Sequence, residues 1–145
     1  MKLKVFVVDD DRHYARLLSY RLDQHTEREV KVFTSGESLL SNLDDPPDLV
    51  LLDIMMPGMN GLETLKRIKE RHPQVHVLVV SAQGVIGTAA EAIKLGAFDY
   101  VTKGQDDLLR LGAIVKNIEE RKMLEWELEQ LRQEVQRLRE ESGRA

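Results

Sequence analysis

The chain has no cysteine, few aromatics, no long apolar run and no basic block. Without cysteine it can form neither a disulfide nor a thiolate metal site, and the absence fits a cytoplasmic location. Phe, Trp and Tyr make up 5% of the residues, so the core must be packed from Leu, Val, Ile and Ala. No stretch approaches the roughly 18 apolar residues that a membrane span requires. The N-terminus, MKLKVFVVDDD, has too short an apolar run for a signal peptide and ends in acids. The net charge is −4 and the Lys and Arg residues are not clustered, so direct nucleic-acid binding by this chain is not expected. Its 145 residues suit one domain with a real core.

What is present is organised around LVLLDIMMPGMNG, residues 49–61. Leu49 to Leu52 read as a buried strand that stops at a single carboxylate, Asp53. Pro57, Gly58 and Gly61 then break the chain into a loop. A carboxylate at the carboxyl end of a buried strand sits at the rim where open α/β folds place their sites. Alone, Asp53 could equally be a cap or a turn residue.

Four more strands are predicted, at Leu3 to Val8, Val30 to Phe33, Val75 to Val80 and Phe98 to Thr102. Helical spacing separates them: Leu17, Leu18 and Leu22 after a cap at Asp11, a short helix from Ser35, then Leu62, Leu65 and Ile68, and an Ala-rich segment from Thr88 to Leu95 closed by Gly96. From Asp106 the pattern is helical almost to the end. Strictly alternating strands and helices imply a parallel sheet covered on both faces. Right-handed crossovers then bring every strand's carboxyl end to one edge. Asp9 and Asp10, Asp53, Ser81 and Lys103 occupy those ends. Each alone has an ordinary reading; together they form a constellation.

Clustered carboxylates repel one another unless a cation joins them. An oxygen-only donor set suits Mg²⁺, which takes one or two carboxylates and keeps several waters. Beside such an ion Asp53 could act as a nucleophile toward a phosphoryl group, with Ser81 and Lys103 holding its other oxygens. His13, His25, His72 and His76 show no metal-ligand spacing and read as surface or ordinary structural groups.

Residues 2–117 resemble a receiver domain of a bacterial two-component response regulator. The resemblance rests on VVDD at the end of the first strand, LLDIMMPGMNG around Asp53, VVSA at Ser81 and GAFDYVTK ending at Lys103, in matching order and spacing. It implies a flavodoxin-like (βα)5 sheet of order 2-1-3-4-5, with Asp53 as phosphoacceptor. It further implies Mg²⁺ held by Asp9, Asp10, Asp53 and the Met55 backbone carbonyl, Ser81 and Lys103 binding the phosphoryl group, and Tyr100 as a ring that moves on activation. The implied phosphodonor is a sensor histidine kinase. One departure stands out: the family usually has proline, in a cis peptide, after its lysine, and here Gly104 follows Lys103. A non-proline cis bond costs roughly 3–4 kcal/mol, so a trans peptide or a looser loop is expected.

Beyond the receiver, Leu124, Leu128, Leu131, Val135 and Leu138 recur as a heptad seam, with Leu124, Leu131 and Leu138 at d and Leu128 and Val135 at a. The ordinary alternative is one amphipathic helix packed on its own domain. In a parallel pair Glu127 would face Arg132 and Glu134 would face Arg139, whereas antiparallel strands would oppose like charges. Trp126 falls at f, off the seam. The expected organisation is a receiver over 1–118 and a helical coiled-coil extension or linker over 119–142, forming a parallel homodimer. The extension resembles the linker of nitrogen-regulation-type activators, where it leads to an ATPase and a DNA-binding domain; GxxxxGK[ST] does not occur here. Two rival readings are a haloacid-dehalogenase-type phosphatase using Asp9, since Asp9-Asp10-Asp11 resembles its D-x-D start, and a structural dimer module with a degenerate site.

Overall fold

The structure, a computed structural model, describes residues 2–24, 28–56, 58–82, 86–104 and 106–143. His25, Pro57 and Gly84 lie outside these described residues. The described chain forms two compact units, Lys2–Gly112 and a second that begins at Ala113.

Strands β1 (Leu3–Val8), β2 (Arg28–Phe33), β3 (Leu49–Leu52), β4 (His76–Ser81) and β5 (Asp99–Thr102) pair in parallel in the order β2-β1-β3-β4-β5. This is the expected doubly wound order. The central strands are buried along nearly their whole length, which is why they read as unbroken Val and Leu rather than as an alternation. Phe6, Val8, Val50, Leu52, Val77 and Val79 join one core cluster with Leu39, Leu65, Ile68 and Ala92. The residues between them, Val5, Val7, Leu49, Leu51 and Leu78, are buried as well. Both faces of the sheet are therefore covered, as period-two side chains from a parallel sheet require. The one aromatic pair of the cluster, Phe6 against Phe33, meets edge-on at 4.8 Å.

Helices α1 (Arg12–Asp23), α2 (Gly36–Leu40), α3 (Gly61–Arg71), α4 (Ile86–Lys94) and α5 (Asp107–Gly143) connect and follow the strands. Asp11 caps α1, accepting from the amides of His13 and Tyr14. Such a cap stabilises a helix by about 1 kcal/mol. Ser35 and Asn60 cap α2 and α3 in the same way. α4 starts earlier than the Thr88 expected from sequence, so Gly87 belongs to its first turn. In a first turn the amides lack helical partners in any case, so a weak helix former is tolerated. At the other end the Ala97 amide bonds back to the Ala92 carbonyl at 3.0 Å across Gly96, whose φ of +107° suits glycine.

Gly61 fixes the start of α3 against the segment leaving β3. A Cβ there would lie 2.2 Å from Ile54 Cα, so no larger residue fits without moving the chain next to Asp53.

In the second unit the seam residues Leu124, Leu128, Leu131, Val135 and Leu138 are all exposed, and Trp126 is nearly half exposed. Glu134 pairs with Arg137 of its own helix, and Arg137 also reaches Glu141 at 2.6 Å. Glu134 thus has a local partner competing with the Arg139 expected across a dimer. Among the described residues no helix is long and apolar enough to cross a membrane.

Candidate functional site

At one edge of the sheet β1, β3 and β5 hand over to Asp9, Asp53 and Lys103, and β4 ends on Ser81. The ladder continues just past the strands: the Asp9 amide bonds to the Phe33 carbonyl at 3.0 Å and the Asp53 amide to the Val8 carbonyl at 2.9 Å. Both carboxylates are therefore fixed by backbone pairing before any side-chain contact is counted. Asp9 is 2% exposed and Asp53 5%, while Asp10 is exposed. One carboxylate oxygen from each lies within 4.8 Å of the others.

The two buried acids are held alike. Asp9 Oδ1 accepts from the Asp11 amide at 2.9 Å, and Asp53 Oδ1 accepts from the Met55 amide at 2.9 Å. Each second oxygen faces Lys103, whose Nζ is 2.7 Å from Asp9 Oδ2 and 3.3 Å from Asp53 Oδ2. Burial pushes the Asp9 carboxyl up; the Lys103 ammonium and the Asp11 amide pull it down, the Asp53 charge adds to the rise, and the result is a raised value. Burial presses Lys103 the other way, toward the neutral amine, but its bond to Asp9 and the two carboxylate charges outweigh that and leave it above the usual lysine value. One ammonium among three carboxylates leaves negative charge over, and hard oxygen donors of this kind could hold a divalent cation.

The other expected site residues sit as follows. Ser81 is fully buried at the end of β4, and its carbonyl accepts from the Lys103 amide at 2.8 Å. Met55 is half exposed and tied to Asp53 through its amide. Tyr100 stands beside Val79 in the sheet and packs, half buried, against the core. No cis peptide occurs among the described residues, so the Lys103–Gly104 bond is trans, as expected for glycine. Gly104 has φ +152° and Asp106 φ +67°.

Two residues of the site escaped the sequence. Tyr14 lies beneath Lys103, with Nζ 4.3 Å from the ring centroid, and its hydroxyl donates to Asp107 Oδ2 at 2.6 Å. The phenol is held far above its usual value by burial, the Asp107 bond and the nearby carboxylate charges. From the sequence Tyr14 is only one residue of the helical segment that follows the cap at Asp11.

The response regulator receiver domain profile matches residues 5–125. The transcriptional regulatory protein CpxR of Klebsiella pneumoniae subsp. pneumoniae is 40% identical over 116 residues, covering 78% of this chain and 49% of CpxR. The DNA-binding transcriptional regulator NtrC of Salmonella typhimurium is 40% identical over 103 residues, 70% of this chain and 22% of NtrC. The chain thus spans about half the length of CpxR and far less of NtrC. Among solved structures, the BeF3-activated DrrB receiver domain matches with a TM-score of 0.76 at 33% identity, covering 83% of this chain and 99% of that one. NtrX from Brucella abortus matches with a TM-score of 0.76 at 32% identity, covering 90% of this chain and 30% of that one. With five parallel strands in the order β2-β1-β3-β4-β5 and a profile match over most of its length, the chain belongs to the response regulator receiver domain family.

Proposed function

We propose that this chain is a phosphorylation switch that accepts a phosphoryl group on Asp53 from a sensor histidine kinase. The observation that carries the reading is the position of Asp53: one oxygen accepts from the Met55 amide, the other faces Lys103, and its carboxylate lies within 4.8 Å of a carboxylate oxygen from each of Asp9 and Asp10. In the transfer, an Asp53 carboxylate oxygen attacks phosphorus, the P–N bond to the donor imidazole breaks, and its electron pair leaves with the nitrogen. The product is an aspartyl phosphate, later cleaved by water. Lys103 neutralises charge on the incoming group, and the Ser81 hydroxyl binds one of its oxygens. Asp9, Asp10, Asp53 and the Met55 carbonyl would hold Mg²⁺, which supplies charge neutralisation and orientation of the phosphoryl group. The chemistry is performed on the protein itself, so the chain acts as a signalling module rather than an enzyme with a turnover substrate.

Residues 1–118 serve as the receiver and 119–142 as a helical extension that pairs in parallel with a second copy. Supporting this, the seam is apolar and exposed along its length. The output passes through α4, β5 and α5, with Tyr100 responding to Ser81, to DNA-binding or ATPase domains of a longer parent protein. The resemblance to CpxR and NtrC, both named transcriptional regulators, supports that placement.

The test is mass mapping of the acyl phosphate after treatment with acetyl phosphate and Mg²⁺. Phosphate on Asp53 is expected. Phosphate on Asp9 would support a dehalogenase-type phosphatase instead, and no acyl phosphate a degenerate scaffold.

A further inference from the structure

Among the described residues Lys103 is the one side chain paired with both buried acids, yet its own support is not a proline-locked loop. Gly104 follows it, and a Cβ at Gly104 would meet nothing within 4 Å. Beside its two ion pairs the ammonium meets a chain of contacts that crosses from α1 to α5. The Asp11 cap fixes the first turn of α1. From that turn Tyr14 presents its ring to Lys103 at 4.3 Å. Its hydroxyl is bonded at 2.6 Å to Asp107, the first residue of α5, whose other oxygen accepts from the Leu108 amide at 2.8 Å. Burial pushes the Asp107 carboxyl up, but the Tyr14 hydroxyl and the Gly104 and Leu108 amides together outweigh it and hold the carboxyl below the usual range.

We infer that Tyr14 is a positioning residue for Lys103, and that the Lys103–Tyr14–Asp107 relay takes the place of the proline lock and ties the acid site to the first turn of α5. A cation over an aromatic face is held by the ring's quadrupole, and the face can hold it only if the ring is itself fixed. The hydroxyl bond to Asp107 fixes it. The relay works in both directions. If Lys103 leaves Asp9 for a phosphoryl group on Asp53, the ring loses its cation and the Tyr14–Asp107 bond is free to shift at the start of α5. The inference rests on the proposed role of Lys103, but its physical core, Tyr14 holding the ammonium, can be measured without phosphorylation.

The full chain is treated with a trace of acetic anhydride at fixed pH, and acetylation of Lys103 relative to the exposed Lys66 is read by mass spectrometry. The variants are Tyr14→Leu, Tyr14→Phe, Asp107→Ala and the Tyr14→Phe/Asp107→Ala double. Tyr14→Leu should raise Lys103 labelling about twofold to thirtyfold, the range a cation–π contact spans. Tyr14→Phe keeps the ring and should give a smaller rise. Asp107→Ala removes the same hydroxyl bond and also the acceptor of the Gly104 amide beside Lys103, so it should raise labelling at least as much as Tyr14→Phe, and adding Tyr14→Phe to it should give no further rise. Should Tyr14→Leu fail to fold, the Asp107→Ala comparison decides alone. In parallel, acetyl phosphate labelling of Asp53 should slow in Tyr14→Leu but not slow further when Lys103→Gln is already present. Unchanged Lys103 acetylation in Tyr14→Leu, additive effects in the double, or equal slowing in both Lys103 backgrounds would each overturn the relay. A wild type that takes no phosphate on Asp53 would sink the proposed function while the acetylation result still decides this one.

Discussion

Lys103 leans toward Asp9, at 2.7 Å, and away from Asp53, at 3.3 Å. The ammonium thus spends its charge mainly on a proposed metal ligand, leaving the proposed acceptor less committed. A cation entering among Asp9, Asp10 and Asp53 must compete with it. Lys103→Met is therefore expected to tighten Mg²⁺ binding severalfold while slowing phosphorylation by acetyl phosphate about tenfold or more, because one transition-state charge contact is lost. Asp10→Ala should do the reverse to the metal, weakening it, and should slow phosphorylation too. Calorimetric Mg²⁺ titrations of the three proteins give the order; weaker binding by Lys103→Met than by wild type would refute the competition.

Asp53→Asn should abolish phosphoryl uptake and leave the fold intact. The Asn carbonyl oxygen can still accept from the Met55 amide, as Asp53 Oδ1 does at 2.9 Å, and Lys103 keeps its shorter contact with Asp9. Removing one charge from an acid cluster should if anything raise the melting temperature. Phosphate still found in the Asn variant at the wild-type level would remove Asp53 as acceptor.

The pH dependence follows from Asp9. Its carboxyl is raised in the folded state, first by burial, so folding favours the protonated form. That contribution to stability is complete below the ordinary Asp value and is lost as pH rises through the raised folded value. At neutral pH an ionised, buried Asp9 therefore costs stability. Asp9→Asn should melt a few degrees above wild type at pH 7 without Mg²⁺, and the gap should narrow on acidification toward the ordinary Asp range. The proposed Mg²⁺ site requires the ionised form, so adding Mg²⁺ should raise the wild-type melting temperature and close the gap from the other side. Thermal scans across pH 4 to 7 check both arms, and a gap that widens on acidification would reverse the sign assigned to Asp9.

Most of the edge was legible in the sequence because it is written at strand ends. A buried strand must stop where its apolar run stops, so Val8–Asp9, Leu52–Asp53 and Thr102–Lys103 mark the rim by themselves, and parallel topology places them together. Boundaries moved where propensity is weak: α4 takes in Gly87 because a first turn tolerates glycine. Tyr14 and Asp107 could not be paired from sequence. Ninety-three positions separate them, and neither spacing nor composition relates a residue in the first turn of α1 to one at the start of α5. The same limit hid the Glu134–Arg137 pair, because a helix offers both a local partner at i+3 and a distant one across a seam, and pattern alone does not rank them.

That local pair bears on the last prediction, the coupling of phosphate to assembly. The seam Leu124, Leu128, Leu131, Val135 and Leu138 is exposed, and apolar surface at a and d positions is what parallel pairing would bury. α5 begins at Asp107, beside the Tyr14 hydroxyl, and carries the seam farther along the same helix. A phosphoryl group on Asp53 replaces a carboxylate of one negative charge by an acyl phosphate of about −1.5 to −2, so roughly half to one negative charge is added and three acceptor oxygens are placed at the site. In the proposed switch it draws Lys103 and the Ser81 hydroxyl toward it, and so would act on β5 and the start of α5. We expect phosphorylation to change the dimer association constant, and by linkage dimerisation must change phosphate affinity by the same factor. Leu131→Asp, a charge at the centre of the seam, should give a monomer that is still phosphorylated on Asp53, whereas Ser81→Ala should dimerise but lose the phosphate effect. Glu134→Gln should barely weaken the dimer, since Glu134 is already occupied by Arg137, while Glu127→Gln should weaken it more. Sedimentation equilibrium with and without beryllofluoride reads all four. An association constant and a scattering profile identical in both states would end the coupling, and would leave Asp53 as acceptor untouched.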